Sequence, residues 1–255
     1  MISIAESKIC KVLEEIGLKK GDTVLVHSSI GLMFGMQNDP AKLLYSALRK
    51  ILTDSGTVIT PAFTFSPCNG TIFDINDAQS EVGEFSNYIL SLNDVYRSFH
   101  PIHSVAAVGP NAEYVCNHES SSSFGEKSSY NKIVELKAHI LLVGVGINYL
   151  SLIHQVEEDL TVPYRFYKEF NIKVKTEAGY KNVKVPYYAR YLDRVIEYDY
   201  ETREKTLMKS NALNTIKLGW GNIKFGRADE IYSVLYDKVH NDRLFLIKKQ
   251  TYIEK

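Results

Sequence analysis

The spacing of apolar positions changes several times along the chain, and each change predicts an element. From Ile4 to Ile16 hydrophobic residues fall at 4, 9, 12, 13 and 16, the spacing of one helix face. Gly17 and Gly21-Asp22 then turn the chain. Thr23-Val-Leu-Val-His27 is a short, nearly continuous apolar run and predicts a buried strand, followed at once by Ser28-Ser29. Asp39 supplies an N-cap and Pro40 a first-turn proline for a helix reaching Leu52. Gly56 to Thr60 predicts a second strand, stopped by Pro61. Residues 62–82 have no period and are rich in Phe, Thr, Ser and Asn, which predicts a long loop of the kind that usually carries function. Helices are expected over 83–92, 110–117 and 130–136, and strands over 104–108 and 139–143. The tract Ser120 to Ser123 is polar and reads as a solvated loop or a lid.

Strands alternating with helices predict an α/β fold, a layered α/β/α sandwich around a mostly parallel central sheet. After residue 165 the texture changes. Phe170 to Pro186 alternates like a hairpin turning near Ala178-Gly179, and helices are expected over 201–208 and 227–239. The expectation is one domain over 1–255, with an α/β core over 1–165 and a C-terminal α+β elaboration over 166–255.

Composition narrows the function classes. Thirty basic residues balance thirty acidic ones, so the chain carries no electrostatic footprint for nucleic acid or an anionic membrane. Three cysteines, Cys10, Cys68 and Cys116, form no CxxC pair and read as reduced thiols. Charges within the first twenty residues leave no apolar signal segment, and the most apolar run, Ile140 to Ile153, is too short and glycine-broken to span a bilayer. A cytoplasmic protein without membrane insertion is expected; a homodimer stays open.

Two short segments concentrate the chemistry. Ile153-His-Gln-Val-Glu-Glu158 places His154 three residues before Glu157, on one face of a helix, where a carboxylate can fix the imidazole tautomer and raise its basicity. A solvated helix with a polar face is the plainer alternative. Arg97-Ser-Phe-His-Pro-Ile-His-Ser104 packs a guanidinium, two histidines and two hydroxyls into eight residues. Arg97 suits a phosphate or a structural carboxylate. His27-Ser28-Ser29-Ile30-Gly31 is a strand end where backbone amides can approach a ligand. GxGxxG, GxxxxGK[ST] and GxSxG are absent, so neither a dinucleotide fingerprint, a P-loop nor a nucleophile elbow is indicated.

In order, V-H-S-S, G-T-V-I-T-P-A-F-T, G-E-F, R-S-F-H-P-I-H-S-V-A-A-V-G, L-L-V-G-V and S-L-I-H-Q-V-E-E resemble the aminoglycoside 3-N-acetyltransferase family over about Gly21 to Phe170, and more faintly at Phe225-Gly-Arg-Ala-Asp229. The resemblance implies an α/β sandwich and transfer of an acetyl group from acetyl-CoA to an amine of an aminosugar, with no metal. It makes His154 the base and Glu157 its acidic partner. It places the coenzyme near Ser28, Ser29, Arg97, Ser98, His103 and Ser104. The residues themselves put the acceptor near Glu158, Tyr164 and Arg165, where an aromatic ring can stack on a sugar or base and Arg165 and Lys168 can bind a diphosphate. Ser104 and Ser151 stand as equal candidates to stabilise the oxyanion. The stretch Tyr149 to His154 lacks the Asn-Thr usual before the histidine in antibiotic-modifying members, and Val162 to Phe170 is dense in aromatics and bases. In these respects the chain looks more like the branch of the family associated with surface-polysaccharide synthesis, which implies an amino sugar, free or as a nucleotide sugar, with an aminoglycoside as the alternative. Rivals of another class are a zinc-dependent hydrolase or deacetylase using His100, His103, His154 and Glu157, and a non-catalytic sugar-binding protein.

Overall fold

The computed structural model describes residues 6–31, 39–117 and 122–252. Ser120 and part of the serine tract expected to form a loop or lid lie outside them. Helix α1 (Glu6–Glu15) buries Ile9, Val12 and Leu13, as its spacing predicts. Strand β1 (Thr23–Ser28) is buried up to its last residue. Helix α2 (Pro40–Leu52) starts at Asp39, whose Oδ1 accepts from the Lys42 N–H at 3.0 Å. Strand β2 (Thr57–Pro61), helix α3 (Glu84–Leu90), strands β3 (Tyr96–Arg97) and β4 (Val105–Val108), and helices α4 (Ala112–Cys116) and α5 (Ser129–Glu135) follow. Then come β5 (His139–Val143), α6 (Ile153–Asp159) and the hairpin of β6 (Arg165–Thr176) and β7 (Gly179–Arg190). The chain ends with β8 (Arg194–Tyr198), α7 (Tyr200–Lys209), β9 (Asn214–Leu218), β10 (Gly221–Arg227), α8 (Ala228–Asn241) and β11 (Ile247–Tyr252).

The central sheet has seven strands in the order β3-β4-β2-β1-β5-β10-β9. Its heart, β2-β1-β5, is parallel, while β4 and β10 run the other way, so the remaining five strands share one direction. Alternate residues feed two cores, because successive strand side chains point to opposite faces. Val24, Val26, Val58, Leu141 and Val143 pack with α1, α2 and α3 on one face. Leu25, Ile59, Ile140 and Leu142 pack with α4, α5, α6 and α8 on the other. This is the expected three-layer sandwich.

The segment after residue 165 is only partly a separate elaboration. The β6–β7 hairpin and the β8–β11 pair stand outside the central sheet, but β9 and β10 complete it. Strand β10 lies on β5 with Phe225 opposite Leu141 and Gly226 opposite Ile140. Gly226 is required there, since a Cβ on it would come within 1.9 Å of the Ala212 carbonyl oxygen.

Candidate active site

A cavity of about 520 Å³ opens at the carboxyl ends of the three parallel strands. Its walls include His27, Ser28 and Ser29 from the end of β1, Thr60 and Pro61 from β2, and Asn148, Tyr149, Ser151 and His154 from the segment after β5. From β1 the chain passes to α2 on one face, and from β5 to α6 on the other. Adjacent parallel strands whose connections diverge in this way open a crevice, the usual ligand position in α/β sheets. Phe63, Glu81 and Glu84 close the cavity from the 62–82 loop and the start of α3.

His154 sits in the first turn of α6, with a third of its side chain exposed, and Glu157, one turn on, is fully buried. The Nδ1–H of His154 donates to Glu157 Oε2 at 2.5 Å. Since a carboxylate only accepts, this bond fixes the proton on Nδ1 and leaves Nε2 with the free lone pair. The other Glu157 oxygen accepts from the Tyr164 hydroxyl at 3.0 Å, and the Arg165 Nε lies 2.8 Å from Oε2. Arg165 is itself held by the Tyr188 carbonyl and the Tyr198 hydroxyl at 2.9 and 2.8 Å. Burial alone would raise the Glu157 carboxyl, but Arg165 and His154 outweigh it and hold the group ionised, at about 2. Burial and the neighbouring Arg165 charge lower His154, with Glu157 opposing them. The result is a neutral imidazole at neutral pH, ready to accept a proton.

The other expected site residues divide. Ser28 and Ser29 line the cavity with His154. Tyr164 and Arg165 do not; they stand behind Glu157 and hold it. Glu158 is buried off the wall, accepting from Ser122 and from the Tyr167 hydroxyl, and burial pushes its carboxyl up to about 7. Arg97, Ser98 and Ser104 are also off the wall. The Arg97 guanidinium donates to the carbonyls of Ala62 at 2.9 Å and Ala78 at 2.5 Å, clamping the two ends of the loop that carries Phe63 to the cavity. Ser104 accepts from Arg97 and donates to the same Ala62 carbonyl, and Ser98 accepts from the Val105 N–H. Of the two serines proposed for the oxyanion, only Ser151 is on the wall. His103 packs among Phe63, Phe124 and Tyr187 and shares the Ser123 hydroxyl with His100.

Sequence reasoning missed Glu81 as a wall residue, because an acid in an aperiodic loop carries no signal of its direction. Glu81 accepts from the Ser66 N–H at 3.0 Å, a bond to Ser66 that lowers its carboxyl. It also missed Phe124, whose ring meets that of His154 edge-on at 5.2 Å. His27 was noted only as a strand end; it is buried on the cavity side with Nε2 unbonded, and burial lowers it to about 3. None of the cysteines lines the cavity, and burial pushes Cys116 up to about 12. Among the described residues no three His, Cys, Asp or Glu side chains converge as a metal site, and no helix is long and apolar enough to cross a membrane.

The sequence profile of a family described as aminoglycoside 3-N-acetyltransferase matches residues 25–239. Aminoglycoside N(3)-acetyltransferase III from Salmonella sp is 26% identical over 193 residues, 68% of this chain and 67% of that protein. The SPbeta prophage-derived aminoglycoside N(3')-acetyltransferase-like protein YokD of Bacillus subtilis is 27% identical over 183 residues, 63% of this chain and 66% of that one. Among solved structures, the apoenzyme of aminoglycoside acetyltransferase AAC(3)-IVa superposes with a TM-score of 0.81 at 23% identity, covering 96% of this chain and 92% of that one. A binary complex of AAC-IIIb with CoASH gives 0.84 at 18% identity over 94% and 97%. AAC-VIa bound to sisomicin gives 0.82 at 18% identity over 94% and 98%. At these identities the superpositions speak for the fold.

Proposed function

The chain belongs to the aminoglycoside 3-N-acetyltransferase family, and from that premise we propose that it moves an acetyl group from acetyl-CoA to an amine on an aminoglycoside-type ring. The observation that carries this reading is the His154–Glu157 pair at the cavity wall, an imidazole with its inner nitrogen tied to a buried carboxylate. An ammonium group is no nucleophile, so a base must first take its proton. His154 Nε2 accepts that proton, and Glu157 stabilises the imidazolium that results. The free amine attacks the thioester carbonyl directly. The Ser151 hydroxyl is the cavity donor we assign to the developing oxyanion, the kind of contact that contributes most when it is placed in advance. Collapse breaks the C–S bond, the thiolate leaves with the proton from His154, and the freed imidazole then takes the second proton from the acylated nitrogen and releases it to solvent. No enzyme nucleophile takes part. The coenzyme is assigned to the β1 end at Ser28 and Ser29, where small side chains let a ligand approach the backbone.

The acceptor assignment follows the alternative drawn from the sequence rather than its first preference. Of the relatives named above, one is described as an aminoglycoside N(3)-acetyltransferase and the other as an aminoglycoside N(3')-acetyltransferase-like protein. Glu81 and Glu84 line the cavity and make that wall acidic, as a cationic acceptor would require. Arg165, one of the bases of the 162–170 stretch, is held on Glu157 and is not free for a diphosphate.

A thiol-release assay with acetyl-CoA tests the proposal against aminoglycosides, simple amino sugars and nucleotide amino sugars. Turnover is expected with aminoglycosides. His154→Ala is expected to retain acetyl-CoA binding and to lose turnover by roughly 10²–10⁴-fold, the usual worth of a general base. Wild-type turnover in that variant would refute the assignment.

A further inference from the structure

The mechanism leaves the most distinctive motif of the sequence, His100-Pro-Ile-His103, without a role. The structure brings both of its histidines to one hydroxyl. His100 Nδ1 accepts from two backbone N–H groups, of Ile102 at 3.2 Å and of His103 at 2.9 Å. A nitrogen that accepts carries no proton, so the proton of neutral His100 sits on Nε2. Nε2 lies 2.9 Å from the Ser123 Oγ and therefore donates to it. The Ser123 hydroxyl has one hydrogen, and the His103 Nδ1, 2.8 Å away, is there to accept it. The bonds then run in one direction, from His100 through Ser123 to His103, and leave the His103 proton on Nε2. Burial, with the nearby Arg165 charge adding to it, holds His103 well below its ordinary value, which suits a ring that must stay neutral. The Tyr187 ring stacks on it at 5.0 Å.

Ser123 also anchors a four-residue brace on the catalytic helix. Next to it, Phe124 is buried and touches both His103 and His154, at 5.3 and 5.2 Å between ring centroids. Ser122 donates to Glu158 and the Gly125 N–H donates to Gln155 Oε1 at 3.0 Å, both acceptors lying on α6. The brace is thus tied to α6 at each end and to the two histidines in its middle.

We propose that Ser123 is a positioning residue for the acetyl transfer: its single hydroxyl locks the tautomers of His100 and His103 and thereby seats Phe124 against the His154 ring. The proposal rests on the function given above, but it has a readout independent of turnover. In protein labelled with ¹⁵N-histidine, the ring nitrogens of His100 and His103 are expected to show the Nε2–H tautomer, with His103 remaining neutral below the ordinary histidine range. In Ser123→Ala, His103 loses this signature, and kcat falls about tenfold with the acetyl-CoA KM unchanged, a loss suited to a displaced base. Ser123→Thr, which keeps the hydroxyl, restores both. An Nδ1–H tautomer at His103, an ordinary His103 titration in the wild type, or unchanged kcat in a folded Ser123→Ala protein would each overturn the proposal. An inactive wild-type enzyme would instead sink the acetyl-transfer reading, and the ring nitrogens would still decide whether the relay exists.

Discussion

The basicity of His154 is set by two opposed neighbours, and each can be removed. Glu157 raises its pKa and Arg165 lowers it. In Glu157→Gln the imidazolium loses its counter-charge, so kcat should fall and the acid limb of the kcat/KM profile should move to lower pH. In Arg165→Met the sign reverses and the limb should move to higher pH. That variant should also lose stability, about 3–5 kcal/mol in chemical denaturation, because Glu157 then keeps a buried charge without its main partner. Shifts in the same direction in both variants would contradict the arrangement. The His154–Glu157 pair was legible in the sequence because helical spacing alone puts such residues on one face. The tasks of Arg97 and Arg165 were not. A guanidinium's reach is visible in a sequence, but whether it meets a phosphate, two backbone carbonyls or a buried glutamate depends on contacts made across the fold.

Elements buried on both faces announced themselves as apolar runs, which is why β1, β2 and β5 were legible and why the crevice at their ends followed. Strands β9 and β10 were not legible. Asn214-Thr-Ile-Lys-Leu218 is half polar because β9 is an edge strand, and Gly221 to Arg227 carries two glycines, one of them forced by the approach of Ala212. Strand β3 is too short for any period. Capping was the best-read local signal. Asp39 adopts a left-handed backbone, φ 59°, and its carboxylate accepts from the Lys42 N–H. Asp39→Ala should cost about 1 kcal/mol in urea unfolding, through the lost cap and the strained backbone. Asp39→Asn, which tolerates that backbone and keeps an accepting oxygen, should cost less. Equal losses for the two substitutions would show that α2 does not depend on this cap.

At the scale of the whole molecule, burying neutral imidazoles couples the fold to pH. Burial lowers His27 to about 3 and His103 well below its ordinary value, while the unfolded chain protonates both near the usual histidine value. Below that value the unfolded state therefore binds more protons, and stability falls as pH falls. Glu158 works the other way. Its carboxyl is raised by burial to about 7, so its contribution is fully present below the ordinary glutamate range and is lost as pH rises through about 7. Two imidazoles against one carboxyl leave a net uptake of about one proton on unfolding between roughly pH 6 and pH 5, a slope of about 1.4 kcal/mol per pH unit. His139 and His154, also lowered, add to it in the same direction. Urea unfolding at half-unit steps from pH 7.5 to pH 5 should show this decline. His27→Asn should flatten the slope by removing one of the two imidazoles, though at some cost to stability at every pH because His27 is buried. A free energy of unfolding that stays level across that range would mean that these rings are not neutral in the native state.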